Sequence, residues 1–154
     1  MYLALKMLHI IAVIVFLGNV ITGPFWKAHG DKSGDPKIMA HTLEGISRSD
    51  RLFTIPGVIM ILIFGIAAAG VGRIPILRSQ WIWQSIIMFA LAGFAYMRHV
   101  VPLQIKLRRL ALQGVTGNFD RAEYAKLSRE WRIWGTIAVV APLIAVGLMV
   151  AKPV

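Results

Sequence analysis

Cysteine is absent from the 154 residues, which excludes disulfides, thiolate metal sites and cysteine-ligated iron–sulfur clusters. Acidic side chains are scarce, with 7 Asp and Glu against 17 Lys and Arg. Gly114-x-x-Gly117 lacks the lysine and the strand–turn–helix setting of a phosphate cradle, and no HExxH pattern or Ser/His/Asp constellation appears. These absences argue against soluble enzyme chemistry. A small-x-small cleavage site is missing too: the first apolar run exceeds the roughly 7–15 residues of a leader's core and ends in Gly-Pro-Phe-Trp-Lys, so a retained helix is expected.

What the chain has instead is apolar length. Its hydrophobic fraction is 57% and its mean hydropathy +0.68, above the roughly 45–50% apolar usage of soluble domains. Four runs, about 3–26, 52–71, 81–101 and 133–151, each approach the roughly 20 residues that cross a hydrocarbon core. The expected fold is all-α: one four-helix integral membrane bundle over residues 1–154.

The net charge of +10 would suggest nucleic acid in a soluble protein, but its distribution points to topology. The loops 27–51 and 98–132 hold 5 and 8 of the 17 basic residues, leaving Lys6, Arg73, Arg78 and Lys152 on the other side. The positive-inside rule then places both long loops in the cytoplasm and both termini outside, with no nucleic-acid partner expected. Trp81 and Trp83 fall at one interface, and Trp26, Trp131 and Trp134 at the other, as an aromatic belt would have them.

The long loops carry helix signals of their own. Asp35-Pro36 reads as an N-cap and first helical position, followed by Ile38, Met39, Thr42, Leu43 and Ile46 at helical spacing. The third span runs through Pro102 towards Gly114, and Asp120 with Glu123 makes a capping-box-like start for a helix from about Arg121 to Ala151. That helix would be about 46 Å long, so the helices extend into the cytoplasm as a small basic annex. Pro56, Pro102 and Pro142 are expected to bend their helices, and Gly18, Gly57, Gly65, Gly70, Gly93, Gly135 and Gly147 to let helices approach. Aligning Pro24 with Pro102 suggests a repeat of two helical hairpins.

The polar groups inside the spans are the candidates for chemistry. His9 lies about two turns inside the first span, where an ionisable group is expected to face the bundle or a polar cavity. Tyr2, Lys6 and His9 share one helix face, continued by Val13 and Phe16. As a ligand, His9 would offer a nitrogen lone pair to a metal or haem iron, or relay a proton; otherwise it hydrogen-bonds a neighbouring helix. His99 lies about 16 Å deeper by helical rise, too far to share an iron with His9. A second axial ligand would have to come from the level of His9: Met88, Met60 or Gln84.

Lys6 and Arg51 are candidate basic groups around such a cofactor. Arg48, Asp50 and Arg51, with Arg98, Arg108 and Arg109, form a basic set suited to a propionate or to an anionic lipid phosphate at the cytoplasmic face. His29 and His41, near Asp31, Asp35, Glu44 and Asp50, read as a solvated loop face rather than a metal site. Asn19 and Thr22 read as interhelical hydrogen-bonding groups.

The segment Tyr2-Leu3-x-Leu5-Lys6-x-Leu8-His9-Ile10-Ile11-Ala12-Val13, with Gly18 and the Pro24 exit, resembles the first helix of HemJ-type protoporphyrinogen IX oxidases. Arg51-Leu52-x-x-Ile55-Pro56-Gly57 and the Gly65 helix resemble their second. In length and loop character the chain is more similar to an uncharacterised family of predicted bacterial integral membrane proteins, a domain of unknown function placed beside HemJ and the CopD-like copper-resistance domains. The resemblance implies a multi-pass protein of the bacterial inner membrane, with His9 a ligand to b-type haem. Trp81-Ile82-Trp83-Gln84-Ser85 has no lysine where HemJ-type proteins carry one, so the scaffold and His9 carry over but the oxidase activity does not.

Three readings follow. One is a haem-binding protein of electron transfer or oxidoreduction. Another is a homo-oligomeric transporter or metal-handling protein with Lys6, His9 and Asn19 along a path. The third is an accessory subunit without a cofactor.

Overall fold

A computed structural model describes residues 1–76 and 78–153. Its helices are α1 (Tyr2–Lys32), α2 (Pro36–Ser49), α3 (Ile55–Val71), α4 (Gln80–Ala95), α5 (Val101–Val115) and α6 (Arg121–Ala151). Short π-helical turns at Asp50–Thr54 and Tyr96–Val100 join α2 to α3 and α4 to α5. The chain is thus four long helices, each of a length and apolarity to cross a membrane. No strand occurs among the described residues.

The helix starts follow the sequence signals. The Asp35 carboxylate accepts from the Lys37 N–H, and that of Asp120 from the Glu123 N–H, each satisfying a donor that the first turn leaves unpaired. The two π turns have a common cause. Pro56 and Pro102 carry no N–H, and their rings displace the carbonyl four residues back. Just before each proline the ladder slips by one residue: the N–H of Ile55 bonds to the Asp50 carbonyl and that of Val101 to the Tyr96 carbonyl. Such π turns are frequent at functional sites.

Packing differs between the two ends of the molecule. Along the apolar runs the interior is built from small residues, Ala12, Ala68, Ala69, Ala92, Ala138, Ala141 and Ala145, while Leu3, Ile14, Ile63, Ile66, Ile87 and Val150 point outward. Large apolar side chains outside and small ones inside is how helices pack when the surroundings are lipid. At the basic end, Met39, Leu43, Leu103, Leu107, Tyr124 and Leu127 form a core of large side chains. Charged residues such as Arg48, Lys106, Arg109, Lys126 and Arg129 cover it.

In the apolar region α1 packs on α3 and α4 on α6, and at the basic end α2 packs on α5. Among the described residues, no close backbone contact joins α3 to α4, α3 to α6, or α1 to α4. Among the described residues the two pairs come into close backbone contact through α1 and α6, and elsewhere they meet through side chains, such as Phe16 against Phe89 at 5.6 Å between ring centres.

Several sequence expectations change. The glycines act selectively: a Cβ on Gly57 would lie 3.1 Å from Phe16 Cβ and one on Gly65 3.0 Å from the His9 ring, whereas Gly18, Gly70, Gly93 and Gly147 face open space. Trp131 is buried, not part of an interfacial belt, because its face of α6 turns towards α5. The two hairpins of the suggested repeat are present, α1 with α3 and α4 with α6, but the settings of their prolines differ. Pro24 lies within an ordinary helix and buried Lys27 follows it, whereas Pro102 follows a π turn and Lys106 is exposed.

Candidate functional site

Side chains of three of the four long helices converge on one carboxylate, and the fourth, α6, reaches it through Gln104. Asp50, 7% exposed, opens the first π turn. Its Oδ1 accepts from Asn19 Nδ2 of α1 at 3.0 Å and from Thr54 Oγ1 one turn on at 3.0 Å. Asn19 Nδ2 also donates to Thr54 Oγ1 at 2.8 Å. The Tyr96 hydroxyl, on the facing π turn, and the Gln104 amide of α5 complete the set of hydrogen bonds to the carboxylate. The donors are neutral, and Asp50 makes no ion pair among the described residues.

The network continues outward. Gln104 Nε2 donates to Ser47 Oγ at 2.9 Å, and Trp131 Nε1 of α6 donates to Gln104 Oε1 at 3.3 Å. The Trp131 ring also lies 5.4 Å from the ammonium of Lys27. Lys27 is 2% exposed; it donates to Asp31 and, at 2.9 Å, to Ser128 Oγ. Asp31 takes a second bond from the Tyr124 hydroxyl at 2.6 Å. Lys27 and Tyr124 lie beyond the apolar runs of their helices. Burial lowers the pKa of the lysine against the raising effect of Asp31, and burial with the Asp31 bond raises that of the Tyr124 phenol, which stays a neutral donor.

A cavity of about 100 Å³ adjoins Asp50, lined on the apolar side by Phe16, Val20, Val58 and Phe89 and on the polar side by Asn19, Thr54, Tyr96 and Gln104. It occupies the gap between the α1/α3 and α4/α6 pairs and extends past Asp50 to Pro24, Ile46, Gln104 and Trp131. A second, more open cleft of about 510 Å³ lies between α2 and α5, with Arg51, Arg108 and Arg109 on its walls.

His9 lies apart from this centre. Its Nδ1 is 2.9 Å from the Ile61 carbonyl of α3, and its ring rests against Gly65. Lys6 and Met60 are exposed and Met88 is half-buried. Arg51 lies about 21 Å along the helix from Gly65 by helical rise, so it and His9 do not share a site. His99 stacks on Trp134 at 3.6 Å with the rings 2° from parallel. Thr22 bonds back to the Gly18 and Asn19 carbonyls of its own helix, so of the expected interhelical pair only Asn19 links helices.

Asp31 and Asp50 correct the reading of a wholly solvated loop, since both are drawn into hydrogen bonds between helices. Among the described residues no three His, Asp or Glu side chains gather as metal ligands. Nothing in the residue pattern marks Lys27, which counts there as one more topology charge. The interval Asp50 to Pro56, matched by Tyr96 to Pro102, is the signal that would have marked the π turns.

The four long apolar helices agree with the comparison with known families. The model of a family described as predicted integral membrane proteins (DUF2269) matches residues 3–153. The chain belongs to that family. No curated protein and no solved structure matches this DUF2269 member. It is a small integral membrane protein, and its outward apolar faces contact lipid.

Proposed function

We propose that this DUF2269 protein handles a proton or small cation across the membrane, with Asp50 as the binding carboxylate. The observation behind this reading is the burial of that one acid among side chains of three of the four long helices, on the wall of the gap between the two helix pairs. An ionisable group placed in a membrane bundle is costly and is commonly part of an ion pathway. In the ionised state Asp50 only accepts hydrogen bonds. Taking up a proton makes one of its oxygens a donor, so Thr54 or Tyr96 must turn its hydroxyl away or accept in its place. Protonation thus alters bonds from α1, α4 and α5 at two π turns, where the helices are locally adjustable.

Four spans make a short path, and a homo-oligomer is part of this proposal. The basic annex is placed in the cytoplasm of a bacterial inner membrane and both termini outside, on the bias of the loop charges. The test is an infrared pH titration of the reconstituted protein beside a proton-flux assay in liposomes. A protonated-carboxyl band that disappears in Asp50→Asn, together with flux that the same variant lacks, supports the reading. Flux and band unchanged in the variant would sink it.

A second reading has its own observation. If Nδ1 of His9 carries the proton and donates to the Ile61 carbonyl, Nε2 keeps its lone pair, the arrangement by which proteins orient metal-binding histidines. The donor chemistry therefore fits b-type haem, which would supply one-electron transfer, with Met88, Met60 and Lys6 as the candidate neighbours. The cavity of about 100 Å³ has no contribution from His9, so haem would have to lie elsewhere against α1. An absorption spectrum of the purified protein, oxidised and dithionite-reduced, decides it: a Soret band lost in His9→Ala supports haem. Protein absorbance alone, after haem is supplied during expression, removes this reading.

A further inference from the structure

We infer that the cleft between α2 and α5 is a binding site for a phosphate group, supplied by an anionic phospholipid of the surrounding membrane. Arg51 from the first π turn and Arg108 and Arg109 from α5 line this opening of about 510 Å³. Arg108 is held by Glu44, 3.1 Å away, and its Nε is buried without a hydrogen-bond partner. Arg51 and Arg109 make no ion pair among the described residues. Three guanidinium groups around one cleft, with a single carboxylate among them, repel one another unless an anion enters. The planar N–H forks of arginine match phosphate oxygens two at a time, which a lysine cluster would not.

Position selects the source. Arg51 directly precedes the apolar run that begins at Leu52, so one end of the cleft lies at the membrane boundary, where phospholipid phosphates are most concentrated. Ile105 and Leu112 supply apolar wall beside the charges, suiting a group that carries a hydrocarbon chain. Gln113 and Thr116 add neutral hydrogen-bonding groups at the far end. This inference is independent of the Asp50 proposal: the cleft opens on the outside of the α2–α5 pair and shares no arginine with the interior network.

The test uses the whole protein in nanodiscs of phosphatidylcholine with and without phosphatidylglycerol, reading retained lipid by native mass spectrometry. In the wild type, phosphatidylglycerol should be retained in preference to phosphatidylcholine. Arg51→Gln and Arg109→Gln, both exposed side chains whose loss leaves the α2–α5 packing in place, should each reduce that preference about tenfold, the loss of one charge-assisted hydrogen-bond pair. Lys126→Gln, on the exposed face of α6, should leave it unchanged. A second arm titrates inorganic phosphate into the protein in zwitterionic detergent and follows thermal unfolding. Stabilisation by phosphate that needs Arg51 and Arg109, without lipid preference, keeps the phosphate site but overturns its lipid source. Equal lipid retention in wild type and variants, with no arginine-dependent effect of phosphate, overturns the site altogether.

Discussion

Replacing Asp50 with Ala removes the acceptor on which Asn19, Thr54, Tyr96 and Gln104 converge, and leaves those donors facing one another. Interhelical hydrogen bonds in membrane proteins average about 0.6 kcal/mol, with about 1.7 at the top of the range. Leaving a buried neutral donor without its acceptor costs about 1–3 kcal/mol for each donor. Two of the partners, Thr54 and Asn19, also bond to each other and keep part of their pairing, so the expected loss lies at about 2–4 kcal/mol, a factor of roughly 30 to 1,000 in the folded population.

The assay is reversible unfolding by sodium dodecyl sulfate in mixed micelles, followed by far-ultraviolet circular dichroism. Asp50→Asn, which keeps the volume and one acceptor oxygen, should cost less than Asp50→Ala. In a double-mutant cycle, Tyr96→Phe with Asp50→Ala should fall short of the sum of the two single losses, because both remove the same bond. A loss below about 0.5 kcal/mol for Asp50→Ala, the level of an ordinary surface substitution, would refute the claim that this carboxylate joins its own helix to α1 and to the α4–α5 helix.

Three further outcomes are expected. Gly65→Ala puts a methyl 3.0 Å from the His9 ring and should cost about 1–3 kcal/mol by overpacking, whereas Gly93→Ala, facing open space, should cost nothing measurable in the same unfolding titration. Lys27→Met should change the pH dependence of stability. Because the pKa of Lys27 is lowered in the folded protein from its ordinary 10.5, the unfolded chain holds more protons in the alkaline range below that value, and wild-type stability should rise with pH there. Unfolding curves across that range should show the rise weakened in Lys27→Met, and an identical slope would contradict the burial of the ammonium. Reporter fusions after Gly30 and Gly114 should both give cytoplasmic signals; an external signal at either would overturn the proposed orientation.

The spans and the helix starts were legible because they depend on local quantities. A run of about 20 apolar residues must cross the bilayer wherever its neighbours lie, and the Asp35-Pro36 and Asp120–Glu123 signals act within one turn of the chain. His9 was legible as a polar group turned to a neighbouring helix, though its partner, a backbone carbonyl 52 positions away, was not. Asp31, Asp50 and Lys27 were misplaced for a related reason. A charge at the edge of a span reads the same in sequence whether it points to water or to a neighbouring helix.

Composition and pattern by themselves determined that this protein lies in a membrane as four helices, with its positive charge gathered at one end. Only the tertiary structure decided that Pro56 and Pro102 follow paired π turns rather than simple bends, and that one of seven acids becomes the meeting point of side chains from three of the four long helices. The physical reason is the range of the forces. Hydrophobic length and capping are satisfied within a segment, whereas the direction of a side chain around its helix is fixed by which distant surfaces pack against it.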